Sequence, residues 1–527
     1  MRPAKLLFAG ALALGFIANA AEAKTFKYAF QGDLNALDPY TLNETFTLGA
    51  MSNVMEGLTK RDKDLKIIPG LAERWEVLEP TRWRFHLRKN VKFHDGTPFT
   101  ADDVIFSLDR LRSPGSQIKN RVPADAKAVK VDDHTVDFVL ASPNPILHAE
   151  WDTWHIYSKK WSEENGATQA QSAAATSLNP SSLKANGTGP FIIESHEPGV
   201  KTVFKPNPNW WDKPEHNLTE VIFQTIKSDA TRVAALLSGE IDMMDPVPVQ
   251  DIERVKKNPT TDVLTGPELR TIFLNLDSFR DELLYSNVKG KNPFKDARVR
   301  KAVYQAIDIE AIKTKVMRGM SSPSALLISP LLFSRSGEFK RHPYDVAAAK
   351  KLMTEAGYPN GFEVTMDCPN DRYVNDEAIC QAVVAMLSRI DIKVNLLAQP
   401  KAKYFEKAGP SRKYDSSFNL LGWTPSSFDS WNVLANITAC RDADGNGGQF
   451  NYGGYCNPKV DDLAKKILVE IDEAKRDDMI AEAFRIVHEE AGVLPLHQQS
   501  LAWGVSRKIK IVQRADNQIL LYWVQKE

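Results

Sequence analysis

The chain has 527 residues, with 67 Lys and Arg against 67 Asp and Glu. A balanced total excludes nucleic acid or an anionic membrane surface as the main partner, since both select for a net basic chain. A chain of this length exceeds what one hydrophobic core serves, so two or three domains are expected. With 11 Trp, 13 Tyr and 24 Phe, it carries more aromatic surface than packing alone requires, leaving some to line a ligand cleft.

The first residues read MRPAK, then LLFAGALALGFIA, then Ala21-Glu22-Ala23 before Lys24. A basic start, a short apolar run and an A-x-A site predict a cleavable secretory signal over 1–23. The apolar run is too short to span a bilayer, and there is no Cys at the cleavage site to take a lipid. The expectation is a freely diffusing periplasmic protein. TFKYAF, opening the mature part, alternates like a strand, and Leu37-Asp38-Pro39 predicts a turn.

Between Trp83 and Leu111 the sequence is WRFHLRKNVKFHDGTPFTADDVIFSLDRL. Trp83, Phe85 and Leu87 share one side of a strand, and HDGTP forces a turn. Thr100 and Asp103 fit a capping box, and Val104, Leu108 and Leu111 continue the apolar stripe of the helix it starts. A polar tract from Asn165 to Lys184 predicts an exposed connection. Gly187-Thr-Gly-Pro-Phe191 predicts a structural turn: no GK[ST] follows and Pro190 lacks an N–H, which argues against a phosphate loop.

Further on, Arg232 to Ser238 predicts a helix ended by Gly239, with a buried strand after it, and Phe273 to Asp277 predicts another strand. Asp296 is the expected N-cap of a helix burying Val299, Ala302, Val303, Ala306 and Ile307, with Arg298, Arg300 and Lys301 outside. Asp345 to Gly357 reads as a complete helix, capped by Asp and stopped by Gly, with Pro359 beyond. Glu363 to Cys368 and Ile392 to Leu397 predict strands around a further helix, an α/β unit. The four cysteines form two close pairs, Cys368/Cys380 and Cys440/Cys456. In an oxidising compartment local disulfides are the default, and neither pair has zinc-site spacing.

Several strings together resemble the family 5 (peptide/nickel type) solute-binding proteins of bacterial ABC importers. They are the segment 83–111, VMEGLTKRD (54–62), IIPGLAERWEV (67–77), Asn207-Pro-Asn-Trp-Trp-Asp212, and Arg232 to Asp242. The resemblance runs in order over 24–527. It implies an α/β, two-lobed periplasmic-binding-protein fold (type II, Venus-flytrap) with an extra N-terminal inserted domain. Lobe I would comprise 24–275 and 495–527, with the insertion at about 46–184, and lobe II would comprise 276–494. The implied function is capture of a small organic ligand, a short peptide foremost, and its delivery to the permease subunits of the importer at the inner membrane. An opine, an oligosaccharide or a metal chelate is the alternative ligand. A monomer is expected, without cofactor or resident metal.

The ligand is expected at Leu421-Gly422-Trp423-Thr-Pro-Ser-Ser-Phe-Asp429. Gly422 would permit close backbone approach, Trp423 would offer a flat face, and Asp429 would pair with a ligand cation. The competing reading makes Trp423 core and Asp429 a helix cap. Peptide-binding members resemble G-W-x-A-D-Y-x-D-P here, and their first acid holds the ligand's α-amino group. This chain has Ser426 at that position, which puts free-N-terminus peptide binding in doubt: either Asp429 takes over the role or the ligand lacks an ammonium group. The resemblance also places Asn43, Glu44 and Thr45 at the cleft. Arg441 is a candidate for a ligand carboxylate, against a plain surface role. On these expectations Trp423→Ala and Asp429→Ala would each weaken ligand binding.

Asp442-Ala-Asp444-Gly-Asn446 begins like a calcium loop, but Gly453 stands where the bidentate Glu is needed, favouring an ordinary turn. The ten histidines include no H-x-H, H-x3-H or H-E-x-x-H. A secreted hydrolase is the rival class, but no G-x-S-x-G elbow occurs. A chaperone-like binder of broad, weak affinity is compatible with the same fold.

Overall fold

A computed structural model describes residues 24–34, 36–175, 177–442 and 447–527. The expected signal segment 1–23 and residues 443–446 of the calcium-like loop lie outside the described residues. No helix among the described residues is long and apolar enough to cross a membrane.

Two long strands, Thr261–Leu276 and Leu494–Ser506, organise the molecule. They run antiparallel, with Thr261 opposite Ser506 and Pro267 opposite Ser500; the ladder then breaks and resumes at Thr271 opposite Gln498. On one side of the break, the sheet continues through Met243–Asp245, Thr25–Phe30, Glu220–Thr225 and the hairpin of Lys201–Pro206 with Phe191–Glu197. On the other side, Phe418–Trp423 pairs with 271–276, and Phe362–Pro369 and Ile392–Gln399 extend the sheet in parallel. The chain therefore builds two halves joined by two continuous strands.

A separate four-stranded sheet, Ala72–Glu79, Arg82–Leu87, Thr135–Val139 and Lys127–Asp132, lies in the chain between the first strand and Phe191. Trp83, Phe85 and Leu87 point inward, as their alternation predicts. The helix Ala101–Leu111 follows, and the Asp103 carboxylate accepts the Thr100 N–H at 2.9 Å. Arg110, on this helix, donates to both oxygens of the buried Asp38 at 3.1 and 2.6 Å, and the Tyr157 hydroxyl donates to the same carboxylate at 2.8 Å. Burial pushes the Asp38 carboxyl up, but the Arg110 charge and these hydrogen bonds outweigh it and leave it below its ordinary range. The pair ties the small sheet's helix to the turn that leads into residues 42–45.

Local signals elsewhere fold as their chemistry dictates. Gly239 closes its helix at φ 80°, and Asp345 caps Val346–Glu355 by accepting the Ala348 N–H at 2.9 Å. Gly187 packs so closely on the Val54 carbonyl that a Cβ would meet it at 2.0 Å, which is why the turn there needs glycine. Cys368–Cys380 and Cys440–Cys456 are both disulfide-bonded.

Two expectations are corrected. Arg300 is buried, not outside: its guanidinium donates to the carbonyls of Phe294, Lys295, Glu490 and Ala491, at helix ends that no apolar residue could satisfy. The polar tract 165–184 is only partly exposed. Ala167, Gln171, Ser181 and Ser182 are buried against the Arg110–Asp38 region, where Ser181 accepts from Arg110 at 3.1 Å.

Candidate ligand-binding site

A cavity of about 830 Å3, mouth included, lies between the two halves. One wall comes from residues 42–45, Leu48, Arg121, Asp152, Thr153 and Gln518; the other from Arg372, Tyr373, 421–424, Ser426 and Phe428, with Phe450 and Tyr452 behind. Of the expected residues, Asn43, Glu44, Thr45, Gly422, Trp423 and Ser426 all line it.

Glu44 caps the helix Thr45–Met51, accepting the Thr47 N–H at 3.0 Å and the Thr47 hydroxyl at 2.7 Å. Its other oxygen faces two cations of the opposite half, Arg372 at 3.3 Å and Lys401 at 3.4 Å. Burial alone would raise its pKa; the Lys401 and Arg372 charges, with the Thr47 bonds, bring it down to about 2. The Lys401 ammonium also lies over the Phe46 ring, 5.6 Å from its centroid. Glu44 is thus an electrostatic link between the two halves. Asn43 accepts from Arg121 at 3.0 Å, and Thr45 from Arg270 at 3.4 Å.

Gly422 sits at the tightest point of the opposite wall. A Cβ there would meet the Tyr373 ring at 2.7 Å and Ile272 at 2.8 Å. Trp423 is nearly enclosed: its indole N–H donates to Asn432 at 2.8 Å, and its ring lies 4.7 Å from that of Phe450. One edge remains for the cavity. Asn432 in turn donates to the Ser426 hydroxyl at 3.1 Å, orienting it. Phe428 takes a left-handed φ of 57°, a costly conformation for a bulky residue. The Arg61 guanidinium of the opposite half covers its ring at 4.0 Å.

Asp429 and Arg441 do not line the cavity. Asp429 caps the helix Ser430–Val433 by accepting the Trp431 N–H at 2.7 Å, and Arg476 grips it with two nitrogens at 2.8 and 2.7 Å. That carboxylate is saturated. Arg441 spends its guanidinium on the carbonyls of Asn451 and Tyr452 at 2.8 and 3.0 Å and lies 3.8 Å over the Tyr414 ring. It holds the loop that Cys440–Cys456 closes, which is a structural role. Asp429→Ala is expected to leave ligand affinity unchanged while lowering stability by about 1–2 kcal/mol through the lost cap, read by denaturant unfolding beside calorimetry.

Sequence reasoning missed Arg270, Arg372, Arg121 and Asp152. Arg270 carried a signal: a lone arginine preceding an apolar strand run, TIFLNL, is rarely placed without a purpose. Its Nε donates to Glu268 at 2.8 Å. The other three look like ordinary surface charges along the chain. No group of three or more His, Cys, Asp or Glu side chains among the described residues is arranged to hold a metal.

A cavity closed between two halves joined by two crossing strands defines a binding protein rather than a scaffold. The model for "Bacterial extracellular solute-binding proteins, family 5 Middle" matches residues 66–445, and the chain belongs to this family. It is 26% identical over 522 residues to the dipeptide-binding protein of Escherichia coli strain K12, covering 94% of this chain and 93% of that one. Among solved structures, it is similar to the periplasmic binding protein DppA of Helicobacter pylori in complex with the peptide STSA. The TM-score is 0.84 at 24% identity, over 96% of this chain and 98% of the other. It is also similar to AgaA of A. tumefaciens in complex with agropinic acid, with a TM-score of 0.81 at 24% identity, over 95% and 99% of the two chains. The fold is the two-lobed type II periplasmic-binding-protein fold.

Proposed function

We propose that this protein is the periplasmic receptor of an ABC importer and that it encloses a short peptide, carboxylate towards Arg270 and Arg372, without altering it. The single observation that carries the ligand class is the charge of the cavity's deep wall. Arg270 and Arg372 both line it, Arg270 paired with Glu268, and Arg372 sharing the single Glu44 carboxylate with Lys401. A desolvated guanidinium with a free edge is matched by a planar carboxylate. The similarity to a dipeptide-binding protein over nearly the whole length points the same way.

The proposed hinge is the interrupted ladder between Pro267 and Thr271, opposite residues 498–500. The lobes would be 24–275 with 495–527 and 276–494, with 271–275 and 495–498 as the segments that cross from the break into the second half, and the four-stranded sheet would belong to an insertion at about 46–184. Ligand contacts to both lobes favour closure by their difference in free energy between the two states. The closed form, a monomer, would then dock on the permease, and the signal segment would be cleaved on export. Two disulfides agree with an oxidising compartment. A carboxylate ligand without an amine is the second reading, favoured by Ser426 and by the saturation of Asp429.

Mass spectrometry of compounds retained by the native protein, with small-angle scattering before and after their removal, tests the proposal. Retained peptides released intact, with a larger radius of gyration once they are removed, are expected. A chemically altered ligand, or no change in size, would overturn it.

A further inference from the structure

A peptide needs a partner for its amine; Asp429, the acid expected near Trp423, does not supply one, and Ser426 stands where relatives carry the other. Three acids line the cavity: Glu44, Asp152 and Asp516. Glu44 is occupied by Thr47, Arg372 and Lys401. Both oxygens of Asp516 accept from Arg514, one of them from Nε at 3.1 Å. Asp152 differs. Its side chain is 9% exposed, and its Oδ1 is buried with no hydrogen-bond partner.

Only one edge of Asp152 is engaged, by Arg61, whose Nε lies 3.3 Å from Oδ2. The terminal nitrogens of Arg61 are spent elsewhere: one donates to the Leu65 carbonyl at 2.9 Å, the other to the Ala149 carbonyl at 2.5 Å. Arg121 and Arg514 are the other cations near this carboxylate, and each has its own acid, Glu150 at 3.9 Å and Asp516. A buried carboxylate oxygen with an unmet lone pair costs free energy unless a donor fills it. This oxygen belongs to a residue that lines the cavity on the wall opposite Arg372.

We propose that Asp152 is the amine-recognising residue of this protein: the ligand's terminal ammonium, or the N–H of a secondary amine, donates to Asp152 Oδ1. The inference rests on the cavity being the ligand site and adds which residue reads the amine end. It moves that function from the second lobe, where Ser426 stands in place of the acid, to the first. Closure then engages a zwitterion from both sides, with its carboxylate gripped by Arg372 of one lobe and its amine by Asp152 of the other.

The test uses two pools, one of di- and tripeptides and one of the same peptides N-acetylated, with calorimetry on the members retained. The purified full-length mature protein is expected to prefer free-amine members at least tenfold. In Asp152→Asn, which keeps the shape, that preference should collapse to within twofold while the affinity for acetylated members is kept. Asp152→Glu should restore part of it, and cooperative melting of both variants shows that they are folded. Equal retention of both pools by the unmodified protein, or an undiminished preference in Asp152→Asn, would overturn the assignment to Asp152 and leave the peptide reading standing. Retention of neither pool would overturn both.

Discussion

Replacing Glu44 by glutamine is expected to open the ligand-free protein. The carboxylate joins the lobes through Arg372 at 3.3 Å and Lys401 at 3.4 Å, and in the open form all three groups are hydrated separately. Its pKa falls from an ordinary 4.5 to about 2; the Lys401 and Arg372 charges supply the part of that fall that depends on closure, while the Thr47 bonds persist in either form. The sign is that of a depressed acid. The stabilisation is complete above pH 4.5 and is lost as pH falls through that value towards 2. Acid should therefore reproduce in the native protein what Glu44→Gln does at neutral pH. Scattering should show a larger radius of gyration in both cases, and the variant should have lost the change between pH 4.5 and 2. An unchanged radius in the variant would show that the triad does not hold the lobes together.

The second large effect is expected at Arg372. Arg372→Gln removes the guanidinium facing the cavity but leaves Glu44 its Lys401 partner, so the wall keeps its packing and much of its charge balance. Truncating one member of a buried charged contact to a ligand costs about 2–5 kcal/mol. Affinity for a carboxylate-bearing peptide should fall about a hundredfold in calorimetry, while the amide of the same peptide, already lacking the charge, should lose little. Equal losses for acid and amide would mean that Arg372 acts through packing alone. Because Arg270 also faces the cavity, its substitution in the same background measures how the two guanidinium groups share the carboxylate.

Much of the frame of this protein is written locally. The alternation of Trp83, Phe85 and Leu87 needs only the pleat of a strand, and the cap at Asp345 needs only a carboxylate within three residues of a free N–H. Closely spaced cysteine pairs and ordered family strings carried the two disulfides and the two-lobed fold equally well. Such features depend on neighbours along the chain, so composition and spacing suffice.

The site is another matter. Asp429 has the same local sequence whether it serves a ligand or a helix end; the arrival of Arg476, 47 residues away, decided for the helix end. Arg300 was likewise settled by a carbonyl 190 residues away, and Arg441 by carbonyls 10 and 11 residues on, which face it only because the Cys440–Cys456 loop folds back. Glu44, Asp152, Arg270 and Arg372 share one cavity only because two crossing strands bring together stretches hundreds of residues apart. Which charges are neutralised and which keep an open edge is a property of that convergence. The sequence by itself determined the elements and the family; tertiary packing alone decided which polar atoms were left for a ligand.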